Sequence, residues 1–192
     1  MAGHSAIYDF IFNFPKEEKL NIYIVLQLNR ILFSCTPYPE FGGRTRVQNT
    51  MVIGAKFNTL DYQDVMKELI KLDETIQFLE AHYLELNKSE IVKQIVIVHH
   101  RLTVIHPFCD GNGRTIRAFM NLLLMRYGIP PVFIGVSQKK QYVQALNNAD
   151  LNGDFEELYN LILKGTIKSH SDYFSFGAKT KTKHESRKKQ SE

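Results

Sequence analysis

The segment Ile105-His106-Pro107-Phe108-Cys109-Asp110-Gly111-Asn112-Gly113-Arg114-Thr115-Ile116-Arg117 gathers an imidazole, a carboxylate, two glycines and two arginines. Backbone N–H groups at a helix N-terminus have no intrahelical partner and point toward an anion. Gly111 and Gly113 carry no side chain to keep such an anion away. Were the anion a nucleotide triphosphate, Asp110 could offer hard oxygen to Mg²⁺, which is typically held by one or two carboxylates plus phosphate oxygens and water. Arg114 and Arg117, three apart on a helix, share a face where guanidinium forks can clamp outer phosphates. His106, with an ordinary imidazole pKa, would be largely neutral near pH 7 and able to take a proton from an attacking hydroxyl. Turn chemistry explains Asp-Gly-Asn-Gly equally well, and a histidine before proline is usually structural. A turn alone needs neither Phe108 nor two registered arginines.

Two rods must hold this loop. Pro107 biases His106 away from the α region, so the preceding apolar helix is expected to end there, with Ser89 as its candidate N-cap. Ile116, Met120, Leu123 and Leu124 recur at helical spacing and mark a second helix from near Gly111 to Tyr127, with Phe108 pointing into the core. Further helical runs cover Lys16 to Phe33, residues 62–87, Gln138 to Ala149 and Asp154 to Lys168. Between the first two, Phe41 to Gly54 is glycine-flanked, rich in β-branched residues and partly alternating, which predicts a small β-hairpin. The fold class is therefore mainly α. The division is a helical segment over 1–35, a central domain over 36–177 with a flap at about 41–56, and a disordered basic tail over 178–192.

The chain has 192 residues, 44% hydrophobic and 23% charged, enough for one domain with a real core. The net charge of +4 resides in the last 15 residues, where six Lys or Arg face two Glu, so the folded body is neutral and nucleic acid is not its expected partner. Solvation of that tail is the simplest reading; a polyanion or membrane-surface role is the alternative. No apolar stretch approaches the ~20 residues of a membrane span. With no secretory pattern at Met1 to Asp9 and two cysteines, Cys35 and Cys109, outside any C-x-x-C, the expected location is the cytoplasm. There is no P-loop string, His99 and His100 lack zinc-ligand spacing, and Phe155 stands where a calcium loop beginning at Asp150 needs glycine.

His106 to Arg117 matches the Fic motif H-P-F-x-[D/E]-G-N-G-R-x-x-R at all nine defined positions. Chance agreement at a given start has odds below about 10⁻¹¹. The resemblance extends through His100 to Ile105, Asn121 to Leu124, Gly128 to Pro131, Tyr142 to Leu146 and Gly153-Asp154, covering about residues 40–165. It implies the Fic fold: a helical bundle around a central helix–loop–helix with a small β-hairpin flap. It also implies a protein adenylyltransferase, in which a Tyr, Ser or Thr hydroxyl of a target protein attacks the α-phosphate of ATP, AMP is transferred, and pyrophosphate leaves on Mg²⁺. By motif position, His106 is the general base, Asp110 the metal ligand, Gly111, Asn112 and Gly113 the anion cradle, and Arg114 and Arg117 the phosphate clamps.

The same resemblance implies that the flap, with Arg44, Arg46 and Val47, pairs with an extended target segment, although a hairpin that merely covers the core is also open. Tyr142 and Asn147 are implied for the adenine pocket. Many Fic proteins carry an inhibitory [S/T]-x-x-x-E-[G/N] helix, and this sequence has no such string; Thr36 to Phe41 comes nearest but contains Pro37 and Pro39. Restraint by a separate antitoxin, or none, is open. Transfer of another nucleotide, or a silent nucleotide-binding or toxin–antitoxin module, are the alternative functions.

Overall fold

The run from Lys88 to Ile105 contains Ile95-Val96-Ile97-Val98, which favours strand by propensity, yet it is helical in the computed structural model. Burial decides: Ile91, Val92, Ile95, Val96, Val98, Leu102 and Ile105 all lie inside, so this helix is surrounded on most sides. The structure describes the backbone of residues 2–52 and 54–188 and, within them, side chains up to residue 172.

The elements in order are α1 (Ala2–Phe12), α2 (Tyr23–Ser34), α3 (Val65–His82), α4 (Lys88–Ile105), α5 (Asn112–Arg126), α6 (Lys139–Asn152) and α7 (Glu156–Lys188), with three short 3-10 turns between them. The core centres on the α4–α5 pair. Helices α1 and α2 cover α5, while α3, α6 and α7 pack on α4. Phe108, at the corner between α4 and α5, and Phe119 on α5 are fully buried, so the corner is pinned from below as expected.

The caps show how local chemistry sets the ends. Asn87, not Ser89, caps α4: its side chain accepts from Glu90 N–H at 3.1 Å, and Glu90 returns the bond to Asn87 N–H at 2.8 Å. The Ser89 hydroxyl instead meets the Tyr159 hydroxyl on α7. After α5, Gly128 adopts a left-handed φ of 67°, and Lys88 donates to the Tyr127 carbonyl, placing a cation at that helix's negative end. Asn121, fully buried on α5, bonds both main-chain groups of Val132 at 3.0 and 2.8 Å and fixes the chain that returns past the corner.

The expected β-hairpin is absent: no strand occurs among the described residues of 41–56. A ladder needs main-chain donors free to face the opposite limb, and here they are used sideways. Arg46 N–H donates to the Pro107 carbonyl at 2.8 Å, and Leu60 N–H to the Val104 carbonyl at 3.0 Å, so both limbs are tied to the end of α4. Contact between the limbs runs through side chains, as in the Thr59 hydroxyl on the Thr50 carbonyl at 2.5 Å. The segment expected to be a disordered tail starts within the span of α7; its side chains, and residues 189–192, lie outside the described residues.

Candidate active site

The corner is built by its own side chains. His106 ends α4 with φ 48° and ψ 61°, a left-handed conformation. Gly111 opens α5 at φ 79°, and a Cβ there would also meet Leu32 on α2 at 2.8 Å and Asn29 Nδ2 at 3.1 Å. Both conformation and packing therefore require glycine. Asn112 staples the loop, accepting from Phe108 N–H at 2.9 Å and donating to the Phe108 carbonyl at 2.6 Å. Asn29 reaches across from α2 to the Asp110 carbonyl at 3.3 Å and the Thr115 hydroxyl at 3.2 Å. Replacing Asn112 with Ala leaves two buried main-chain groups unpaired and is expected to cost on the order of 1–3 kcal/mol. Urea denaturation measures this; an unchanged midpoint would remove Asn112 from the account.

Above the staple lies a cavity of about 380 Å³, lined by Val52, Thr103, His106, Gly113, Ile116, Arg117, Ile134, Gly135, Val136, Lys139, Tyr142, Val143 and Leu146. Its lining combines His106, Gly113 at the α5 N-terminus and Arg117 with apolar side chains from α6 and residues 134–136. The first three N–H groups of α5 have no acceptor within the helix, since the ladder begins with Thr115 N–H on the Gly111 carbonyl. Arg117 folds back over Gly113, where a Cβ would stand 3.1 Å from its Nη1.

The expected site residues separate into groups. His106, Gly113, Arg117 and Tyr142 share the cavity. Asp110 and Arg114 are exposed, pair with each other at 3.4 Å and do not line it. Gly111 and Asn112 are buried beneath it, so the Asn112 side chain serves the loop and only its N–H remains for an anion. Asn147 lies outside the cavity, accepting from Lys56 N–H at 2.9 Å to hold the 43–60 segment on α6. Of the expected target-docking residues, Arg44 and Val47 are exposed, but Arg46 is only 3% exposed, bonded to main-chain carbonyls and unable to meet a partner. Sequence reasoning missed Lys139, Val143 and Leu146, which recur with Tyr142 at helical spacing on α6, and Ile134 and Val136 beyond Pro131.

Electrostatics favours a neutral imidazole at position 106. Burial lowers the His106 pKa below the usual imidazole range, opposed in part by the Thr103 backbone, with the positive Arg46 lowering it further. Asp110 is a single carboxylate whose Oδ1 accepts from Gly111 N–H at 2.5 Å. No cluster of three or more His, Cys, Asp or Glu suited to a metal occurs among the described residues. This donor set fits a Mg²⁺ that arrives with phosphate oxygens and does not form an all-protein cage.

Beneath the cavity, His99 Nε2 pairs with the Tyr142 hydroxyl at 2.7 Å. Burial first, then the charges of Arg117 and His100, hold the His99 pKa down to about 3, and burial pushes that of Tyr142 up to about 12. Unfolded chain therefore takes up the His99 proton from about pH 6.5 downward while the native state does not, so stability falls as pH drops from there toward about 3. His99→Gln, which keeps a donor for Tyr142 and cannot titrate, is expected to flatten that slope in thermal melts; an equally steep slope would count against it.

The Fic/DOC family model matches residues 19–124, more than half of the chain. The chain belongs to the Fic/DOC family. The protein adenylyltransferase fic-1 of Caenorhabditis elegans is 28% identical over 158 residues, covering 82% of this chain and 29% of the relative. The protein adenylyltransferase Fic of Drosophila grimshawi is 43% identical over 83 residues, covering 43% of this chain and 17% of the relative. The chain thus spans under a third of the length of these curated relatives. A solved fragment of Fic-1 from C. elegans superposes with a TM-score of 0.74 at 25% identity, covering 93% of this chain and 51% of the fragment. The helical architecture is therefore the Fic fold, and the His106 to Arg117 corner is this chain's copy of the Fic loop.

Proposed function

We propose that this chain is a protein adenylyltransferase, transferring AMP from ATP to a hydroxyl of a target protein. The observation that carries the reading is the mixed lining of one cavity, where His106, the α5 N-terminus and Arg117 stand with the apolar side chains of Ile134, Val136, Val143 and Leu146. Its volume, about 380 Å³, falls in the range of sites that enclose small ligands. The names of the relatives support the same activity.

His106, held neutral, takes the proton of the target hydroxyl as its oxygen attacks the α-phosphate. The α5 N–H groups and Arg117 meet the charge on the phosphate oxygens, and this positioning together with electrostatics carries most of the rate. Asp110 would hold Mg²⁺, whose role when bound is to neutralise the departing pyrophosphate. Arg44, Val47 and Met51, exposed on the segment that adjoins the cavity through Val52, offer a face for an extended target.

The test is co-incubation of lysate with ATP labelled at the α- or the γ-phosphate. Protein-bound α label, with an AMP adduct by mass spectrometry, is expected; γ label on protein would indicate a kinase-type reaction instead. The apolar part of the lining is Ile134, Val136, Val143 and Leu146, and the cavity has no side-chain amide or carboxylate to read a base edge. Transfer of other nucleotides is therefore the second reading, and the assay repeated with GTP, CTP and UTP decides it.

A further inference from the structure

His106 is the only residue other than glycine with positive φ among the described residues. Side chains rarely tolerate that conformation, and it persists only where the surroundings over-determine it. The α4 cap bond, His106 N–H on the Leu102 carbonyl at 3.0 Å, fixes one side of the residue. The other side is held by a residue sixty positions earlier.

Arg46 binds the carbonyls of three consecutive residues around the imidazole. Its Nη2 donates to the Ile105 carbonyl at 3.3 Å, its Nε to the His106 carbonyl at 2.8 Å, and its backbone N–H to the Pro107 carbonyl at 2.8 Å. The remaining donors reach the Leu60 and Gln48 carbonyls and Asn49 Oδ1. All five N–H groups of the guanidinium are therefore engaged. None of these acceptors is a carboxylate; Asp61 acts through Asn49, which donates to it at 3.0 Å. The charge is instead met by main-chain dipoles, including those at the negative end of α4. A buried guanidinium spent on carbonyls is a framework for the corner rather than a contact for a target.

We propose that Arg46 is a positioning residue for the transfer reaction: its planar fork, clamped on the carbonyls of residues 105 and 106, holds His106 in the left-handed conformation that aims the imidazole into the cavity. The inference rests on the reading of His106 as general base. Without the fork, the two carbonyls lose their donors, φ of His106 relaxes to negative values, and the ring turns away from the attacking hydroxyl. The α5 N-terminus is held separately, through Asn29, Asn112 and Gly111, and Arg117 rests over Gly113, so ATP binding does not depend on Arg46. Lysine cannot substitute, because one ammonium has three donors and no fixed fork.

The test uses Arg46→Lys and Arg46→Gln in the wild-type chain, and the same changes in His106→Ala. Each is first checked for helical circular dichroism and a cooperative melt. A folded Arg46 variant is expected to lose roughly 10–100-fold in kcat, the scale of a small misplacement of a reacting group. Its Kd for ATP, measured by calorimetry, stays at the wild-type value. In the His106→Ala background the same change has no further effect, because it acts through the missing imidazole. Wild-type kcat in a folded variant overturns the proposal. So does an equal loss in the His106→Ala background, or loss of fold in both variants, since either makes Arg46 a general structural residue. If His106→Ala itself transfers at the wild-type rate, the underlying assignment of the base fails, a result separate from an inactive His106→Ala beside a fully active Arg46→Lys.

Discussion

His106→Ala is expected to lower transfer by about 10²–10⁴-fold, the usual contribution of a positioned general base, while leaving ATP binding intact. The ring sits at the end of α4, outside the hydrogen bonds that build the corner, so its removal should not disturb Asn112, Gly111 or Arg117. Single-turnover labelling with excess enzyme measures the rate, and calorimetry the retained binding. The pH profile gives a second check. Because burial depresses the His106 pKa, the neutral ring persists below the ordinary imidazole midpoint, and the acidic limb of kcat/KM should lie below about pH 6.5. An acidic limb at or above that value, or an Ala variant with wild-type rate, would take His106 out of the proton-transfer role.

Arg117→Ala is expected to reduce kcat/KM by about 10²–10³-fold, comparable to removing a donor from a site of developing charge. Arg117 lines the cavity and lies over Gly113 at the helix N-terminus, and its charge works against the burial that raises the pKa of Tyr8 and Tyr142. Arg114→Ala should cost far less. Its side chain is exposed and pairs with Asp110 at 3.4 Å, an arrangement worth little at a surface. Steady-state kinetics on both variants, with ATP varied, ranks them. A larger loss for Arg114 would show that the two guanidinium groups exchange roles when nucleotide binds, and the cavity as described would not be the triphosphate site.

The corner was legible because its chemistry is local. Pro107 stops α4, glycine permits the left-handed entry to α5, and a helix N-terminus opens to anions whatever surrounds it. These are consequences of adjacent residues, and most of the expected helices likewise follow from periodicity over one or two turns, but the run expected from Lys16 is helical only from Tyr23, because Leu20 and Ile22 enter the core from a loop that is held by Gln77 and Asp73 of α3. Their ends shifted where a neighbour competed: Asn87 took the cap because Glu90 completes a box with it, while Ser89 faced α7.

The 43–60 segment shows the opposite case. Its composition suits a strand, but strand pairing depends on where main-chain donors find acceptors, and those acceptors belong to residues 104–107, far away in the chain. An arginine in such a stretch reads as a surface charge until the fold buries it among carbonyls. The closure of the cavity was hidden for the same reason: Val143 and Leu146 on α6 share it with Val52, with Thr103 on α4 and with His106 at its end only after distant segments pack together. Residue types and short-range spacing thus dictated the reacting groups and the rods that carry them. Which carbonyls restrain the imidazole, and which apolar faces enclose the ligand, depended on contacts between distant segments, whose free energy comes from burial that no local window contains.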